Sequence, residues 1–230
     1  MPRLARRPLL VLCVLASASS SRPPTHVQLS PASDATAMHV QWTTSVLPWP
    51  ASRNDVLGSG VSTVEFGSAL RARSGDGAWA WRSVTGSNWT WQDALSPTNR
   101  TYTHHFATMT GLVPGQVYHY RVGAPLDGWS AIASFRASRA PEAVSEDAPL
   151  KLLFYGDLGW TNAQALSYLQ DEAAAEYLDL LMCTGDYAYD LQNQDGLFGD
   201  QYQLSLQPIT QTTPWRGVVG NRAYCAGPAG

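Results

Sequence analysis

Lysine is nearly absent from this chain: Lys151 is the single one among 230 residues, against fourteen arginines. Charge of either sign is scarce, at 14% of residues, and the formal net charge is -3. That balance leaves no basic footprint for a phosphate backbone, so nucleic acid is not expected as a partner. Wholesale disorder is excluded as well, because 44% hydrophobic residues suffice for a packed core. Cysteine is limited to Cys13, Cys183 and Cys225, too few for a disulfide framework. Cys183 reads as a small core residue, and its pairing with Cys225 stays open. No apolar run approaches the roughly 20 residues that span a bilayer, so no membrane partner is expected. Histidine does not occur after His119, and that absence returns below.

What is present begins with a leader. Arg3, Arg6 and Arg7 precede an apolar run from Pro8 to Ala16, and Ala16-Ser17-Ala18 offers small residues for cleavage. Residues 1–18 therefore read as a signal peptide, and the protein as secreted or in the secretory pathway. Asn88-Trp89-Thr90 and Asn99-Arg100-Thr101 are sequons, so N-glycans are expected at Asn88 and Asn99.

Residues 24–137 alternate and turn like an all-β domain. Met38, Val40 and Trp42 alternate with polar neighbours, Val64 and Phe66 repeat the pattern, and Gly, Pro, Asn and Ser mark most gaps. The size suits a two-sheet sandwich. In Leu112-Val113-Pro114-Gly115-Gln116-Val117-Tyr118-His119-Tyr120, the Pro-Gly turn feeds a strand whose two tyrosines share a face. All five histidines lie in this region: His26, His39, His104, His105 and His119. His104 and His105 are consecutive on a strand and point to opposite faces, so packing is favoured over chelation. Trp79, Trp81, Trp89 and Trp91 form two alternating pairs. Such pairs suit packing across sheet edges and loops better than a carbohydrate or lipid platform.

Residues 138–149 have little to bury and read as a linker. From residue 150 the grammar becomes strand, helix, strand. Leu150 to Tyr155 and Leu178 to Cys183 read as buried strands. Between them Thr161 and Gln164 fit a capping box, opening a helix from Asn162 to Ala175. Phe198, Tyr202 and Leu206 are spaced by four and suggest a second helix ending near Pro208. Trp215 to Val219 reads as a third strand, followed by Gly220-Asn221.

The chemistry-bearing phrases sit where the first two strands end: Phe154-Tyr155-Gly156-Asp157-Leu158-Gly159 and Gly185-Asp186-Tyr187-Ala188-Tyr189-Asp190. Either aspartate alone reads as a cap or a turn. A βαβ unit makes its strands parallel neighbours and gathers ligands at their carboxyl ends. Two aspartates there, with Asn221 after the third strand, offer hard oxygen donors of the kind a di-cation site needs. Tyr189, three residues beyond Asp186, is within reach of the same centre, and a phenolate favours a strongly polarising ion.

These phrases resemble the first three metal motifs of the purple acid phosphatases, a family with a calcineurin-like metallophosphoesterase fold. Met38 to Thr44 and Val64-Glu65-Phe66-Gly67 are similar to the same family's N-terminal domain, which is itself fibronectin type III-like. The resemblance implies an all-β fibronectin type III-like sandwich followed by a partial α/β metallophosphoesterase domain over residues 150–230. It further implies that Asp157 binds Fe(III), that Asp186 bridges two ions, that Tyr189 is the ferric phenolate, and that Asn221 binds a divalent metal (Zn, Mn or Fe). The implied reaction is phosphate monoester hydrolysis in the acid range, with a metal-bound hydroxide attacking phosphorus.

The resemblance also has gaps. Gly220-Asn221-Arg222-Ala223 stands where the family has Gly-Asn-His-Glu, so Arg222 replaces a histidine that holds substrate phosphate. The family's three later histidine ligands have no counterpart after His119. The expectation is a chain truncated in its catalytic domain, with weak metal binding. The alternative is a non-catalytic secreted pseudoenzyme or β-sandwich binding module.

Overall fold

The computed structural model describes residues 23–45, 60–68, 81–92, 96, 100–187, 189 and 191–220. The expected leader, Trp79, Asn99, Asn221, Arg222 and Cys225 lie outside the described residues.

Among the described residues, nine strands build the first unit: β1 (Thr25–Pro31), β2 (Ala37–Ser45), β3 (Thr63–Ser68), β4 (Arg82–Thr85), β5 (Ser87–Gln92), β6 (Thr101–Thr110), β7 (Val117–Ala124), β8 (Gly128–Trp129) and β9 (Ala133–Arg136). One sheet runs in the order β1-β2-β6-β5; the other runs β4-β3-β7-β8, with β9 also on β7. Every pairing in these two sheets is antiparallel. Alternation selects the core face. Met38, Val40 and Trp42 of β2 meet Val64 and Phe66 of β3, Tyr120 and Val122 of β7 and Phe135 of β9, all essentially buried. Burying such side chains contributes about 1.5–3 kcal/mol each. The Tyr118 hydroxyl accepts the Val113 amide at 2.9 Å, which braces the Pro-Gly turn into a tyrosine corner.

His39, His104 and His105 are packed and hydrogen-bonded. His105 is 4% exposed, stacks on Trp42 with rings 5.1 Å apart, and bonds Thr44 and Ser62 hydroxyls at 2.8 Å each. Burial pushes it down to about 4 from its ordinary 6.5.

The second unit holds a parallel sheet of β10 (Leu152–Tyr155), β11 (Leu180–Cys183) and β12 (Trp215–Gly217), in that order, with α1 (Leu166–Ala175) and α2 (Leu197–Thr210). Tyr155, Leu181 and Cys183 from the strands bury with Leu169 of α1 and Tyr202, Leu206 and Ile209 of α2. The Cys183 thiol is buried and has no disulfide partner among the described residues.

Three expectations need correction. The first helix starts at Leu166 and has no side-chain cap. Residues 158–163 instead turn so that Leu158, Trp160 and Ala163 reach the core, with Trp160 edge-on to Phe198 at 5.2 Å. Apolar docking of this segment overrides the Thr161–Gln164 capping signal. The second helix runs two residues past Pro208; a proline in the final turn removes one amide donor there without stopping the chain. Finally, β10 is buried on one face only. Leu152 and Phe154 are 43% and 53% exposed, because both helices pack on the face that carries Tyr155.

Side chains tie the two units together. Thr210 donates to Val27 O at 3.0 Å, Tyr120 to Gln211 O at 2.7 Å, and Arg216 to Pro31 O at 2.7 Å. The segment expected as a linker contains a short 3-10 turn, Pro141–Ala143, and is anchored through Arg139 to Asp179. Among the described residues, no helix is long and apolar enough to cross a membrane.

Candidate functional site

The three parallel strands of the second unit end side by side, and their loops interlock. The Asp157 amide donates to Gly185 O at 3.2 Å, and the Gly159 amide donates to Tyr187 O at 3.2 Å. The loop after β10 therefore continues alongside the loop after β11. On the other side, the Val218 amide donates to Cys183 O at 3.1 Å.

Glycine makes this closeness attainable. A Cβ on Gly156 would stand 2.6 Å from Thr184 Oγ1, whose hydroxyl donates to Tyr155 O at 3.1 Å. A Cβ on Gly220 would stand 2.0 Å from Asp186 Oδ1 and 2.3 Å from the Asp186 nitrogen. The third loop thus lies directly against the Asp186 carboxylate.

Both aspartates adopt the same uncommon backbone, with φ of 52° at Asp157 and 47° at Asp186. Left-handed conformations of non-glycine residues cost about 1–3 kcal/mol and cluster at functional sites, although Asp tolerates them better than most. Two Gly-Asp phrases therefore repeat in conformation as well as in sequence.

Tyr189 closes the group. Its Oη donates to Asp157 Oδ1 at 2.7 Å, and its ring packs 3.5 Å from where a Cβ on Gly159 would stand. The phenol is 41% exposed and the Asp157 side chain is open to solvent. Nearby phenols differ. Burial pushes the ionisation of Tyr155 and Tyr202 well above the ordinary tyrosine range. Those two hydroxyls lie 3.3 Å apart, and Trp215 Nε1 donates to Tyr155 Oη at 2.9 Å. They form a packed floor under the loops, whereas Tyr189 stands at the solvent rim. The Cys183 thiol is likewise pushed up by burial, with the Asp157 and Asp186 carboxylates adding to the shift.

The structure thus brings together Asp157 and Tyr189, with Asp186 on the adjoining loop; Asn221 and Arg222 are outside the described residues. Among the described residues, no group of three or more His, Cys, Asp or Glu side chains converges as a metal site. Sequence reasoning missed Thr184 and the contact of Gly220 with Asp186. The signal that could have found the second was the glycine before each of Asp157, Asp186 and Asn221.

Residues 24–137 match the family described as Purple acid Phosphatase, N-terminal domain. Acid phosphatase type 7 of Danio rerio is 33% identical over 120 residues, covering 52% of this chain and 26% of that protein. Acid phosphatase type 7 of Mus musculus is 27% identical over 198 residues, covering 86% of this chain and 40% of that protein. The chain therefore spans well under half the length of either relative. Purple acid phosphatase PPD1 from yellow lupin (Lupinus luteus) seeds superposes with a TM-score of 0.59 at 19% identity, covering 86% of this chain and 35% of that one. At that identity the likeness concerns the fold.

Proposed function

We propose, from the premise that this chain belongs to the purple acid phosphatase family, that Asp157, Asp186 and Tyr189, together with Asn221, hold a ferric ion and a divalent ion for phosphate monoester hydrolysis. The observation that supports this most is the 2.7 Å approach of Tyr189 Oη to Asp157 Oδ1 at a strand end beside Asp186. Adjacent oxygens on an octahedral ion with bonds of about 2.0–2.1 Å stand roughly 2.9 Å apart, so the two side chains fit one ion. The donors are all oxygens, which suits hard cations, and a phenol selects a strongly polarising one such as Fe(III). Zinc, manganese or iron is the expected divalent partner. When bound, the ions supply Lewis acidity toward the phosphoryl group.

The chain's own residues account for the rest. Asp157 and Asp186 place negative charge where an anionic ester must approach, so by themselves they repel substrate. The solvent-open positions of Asp157 and Tyr189 let a phosphate ester reach the rim. The Oη proton that Tyr189 shares with Asp157 is the one that must leave when the phenol becomes a ligand. Arg222 adds positive charge for phosphate but cannot exchange protons near neutrality. Residues 1–18 would direct the chain into the secretory pathway, where the Asn88 and Asn99 sequons meet the glycosylation machinery.

The test is hydrolysis of 4-nitrophenyl phosphate by the full chain supplied with Fe(III) and Zn(II), beside Asp186→Ala. The reading expects turnover that falls at least about a hundredfold in the variant, as for loss of a residue acting on charge in the transition state. Equal rates for the two proteins would contradict it, and no turnover by the loaded wild-type chain, in which the family's three later histidine ligands have no counterpart after His119, would favour the non-catalytic alternative.

A further inference from the structure

A concavity of about 670 Å³, apart from the strand ends, lies between the exposed face of the β1-β2-β6-β5 sheet and the loop and helix at residues 191–203. Its volume is in the range of small-molecule sites. The phosphatase reading makes no use of it.

Its floor is a strip of rings. Trp89 and Trp91 are two apart on β5 and share a face, yet they remain 60% and 44% exposed. On β6 they are in register with His104 and Tyr102. Trp89 lies 4.5 Å from His104, Trp91 lies 5.9 Å from Tyr102, and the latter two rings are 5.9 Å apart. Large indoles left this open are costly on a surface with no use for them.

The walls are polar but electrically closed. Exposed amides of Gln41, Gln192 and Gln203 surround the strip. Arg100, the one arginine on the lining among the described residues, is ion-paired with Asp200, which also accepts from Tyr102 at 3.0 Å. Burial lowers the ionisation of His104, and burial pushes His26 down to about 4. Among the described residues, an anion therefore meets no uncommitted cation on this lining. An acyl chain would bury the amides without partners, at a cost per group of about 1–3 kcal/mol. A ligand with an apolar C–H face and a hydroxyl edge satisfies both halves of the surface.

We propose that this cleft binds a neutral oligosaccharide, with pyranose rings stacked on Trp89 and Trp91 and hydroxyls bonded to the glutamine amides. Residues two apart on a strand are separated by about 6.8 Å, a spacing for successive rings of a chain rather than for one monosaccharide.

The test is calorimetry and tryptophan fluorescence on the full chain, with cellotetraose, chitotetraose and maltotetraose as separate probes. At least one tetrasaccharide is expected to bind in the millimolar range or tighter. Trp89→Ala and Trp91→Ala should each weaken it roughly five- to tenfold. Trp91→Phe should retain most of the affinity, and Trp81→Phe all of it. Because both cleft indoles are exposed, the melting midpoint of each alanine variant should stay near wild type. Silence toward all three sugars at about 10 mM overturns the proposal, as does binding unchanged in the double alanine variant. Binding of phosphatidylcholine vesicles through the same indoles, in place of sugar, also overturns it and assigns the cleft to lipid.

Discussion

Among the described residues, Asp179→Ala is predicted to be the most damaging single substitution of an ionic side chain. Asp179 sits just before β11 and receives donors from three directions. Arg139 grips it as a fork, with Nε to Oδ1 at 3.0 Å and Nη2 to Oδ2 at 2.9 Å. Arg136 reaches Oδ1 at 3.4 Å, and the Lys151 amide donates to Oδ2 at 2.9 Å. The carboxylate thereby joins the end of the sandwich, the connecting segment and the parallel sheet. Side-chain exposures of 10% for Asp179 and 12% for Arg139 place the fork largely out of water. Removing one partner of such a buried pair costs about 3–5 kcal/mol. Arg139 keeps the Ala148 and Pro149 carbonyls and Arg136 keeps Tyr177 O, so the low end, about 3 kcal/mol, is expected. For a chain this long that is a fall in Tm of roughly 6–12 °C. Asp179→Asn retains one acceptor oxygen and should lose about half as much. Thermal and urea melts of the full chain measure both variants. A loss below about 1 kcal/mol for the alanine variant, the value of an exposed ion pair, would refute the reasoning.

Other substitutions probe the rim and the core. Gly220→Ala forces a Cβ onto the Asp186 backbone and carboxylate; overpacking of this kind costs roughly 1–3 kcal/mol, read as a lower urea midpoint together with weaker metal uptake. Tyr189→Phe removes a solvent-exposed hydrogen bond and should change stability by no more than about 0.5 kcal/mol, so melts of this variant should overlay wild type. His105 is held neutral with its ionisation lowered to about 4, while the unfolded chain binds the proton near 6.5. Its contribution is therefore fully present above pH 6.5 and declines as pH falls toward 4. His105→Gln should flatten stability across that window, measured by melts at successive pH values.

The sequence showed the strand ends more clearly than their surroundings. Gly-Asp after an apolar run is a local signal, and both aspartates appear in the same left-handed conformation at neighbouring parallel strands. The tyrosine corner was legible for the same reason, since Tyr118 and Val113 are five residues apart. The helix start is not legible locally because the docking of Leu158 and Trp160 depends on α2, roughly forty residues on in the chain. The exposed face of β10 was hidden by composition: Leu152 and Phe154 look like core residues until both helices are seen on the opposite face. The aromatic cleft depends on Arg100 meeting Asp200, a pairing no local pattern reveals.

The central claim is that Tyr189 and Asp157 serve one ferric ion. Titration of the full chain with Fe(III), followed by visible absorption, tests it most directly. A phenolate bound to ferric iron should give a charge-transfer band that saturates with iron, vanishes in Tyr189→Phe and persists in Tyr168→Phe, whose ring is 73% exposed on α1. A band that survives Tyr189→Phe, or no band at saturating iron, would contradict the account.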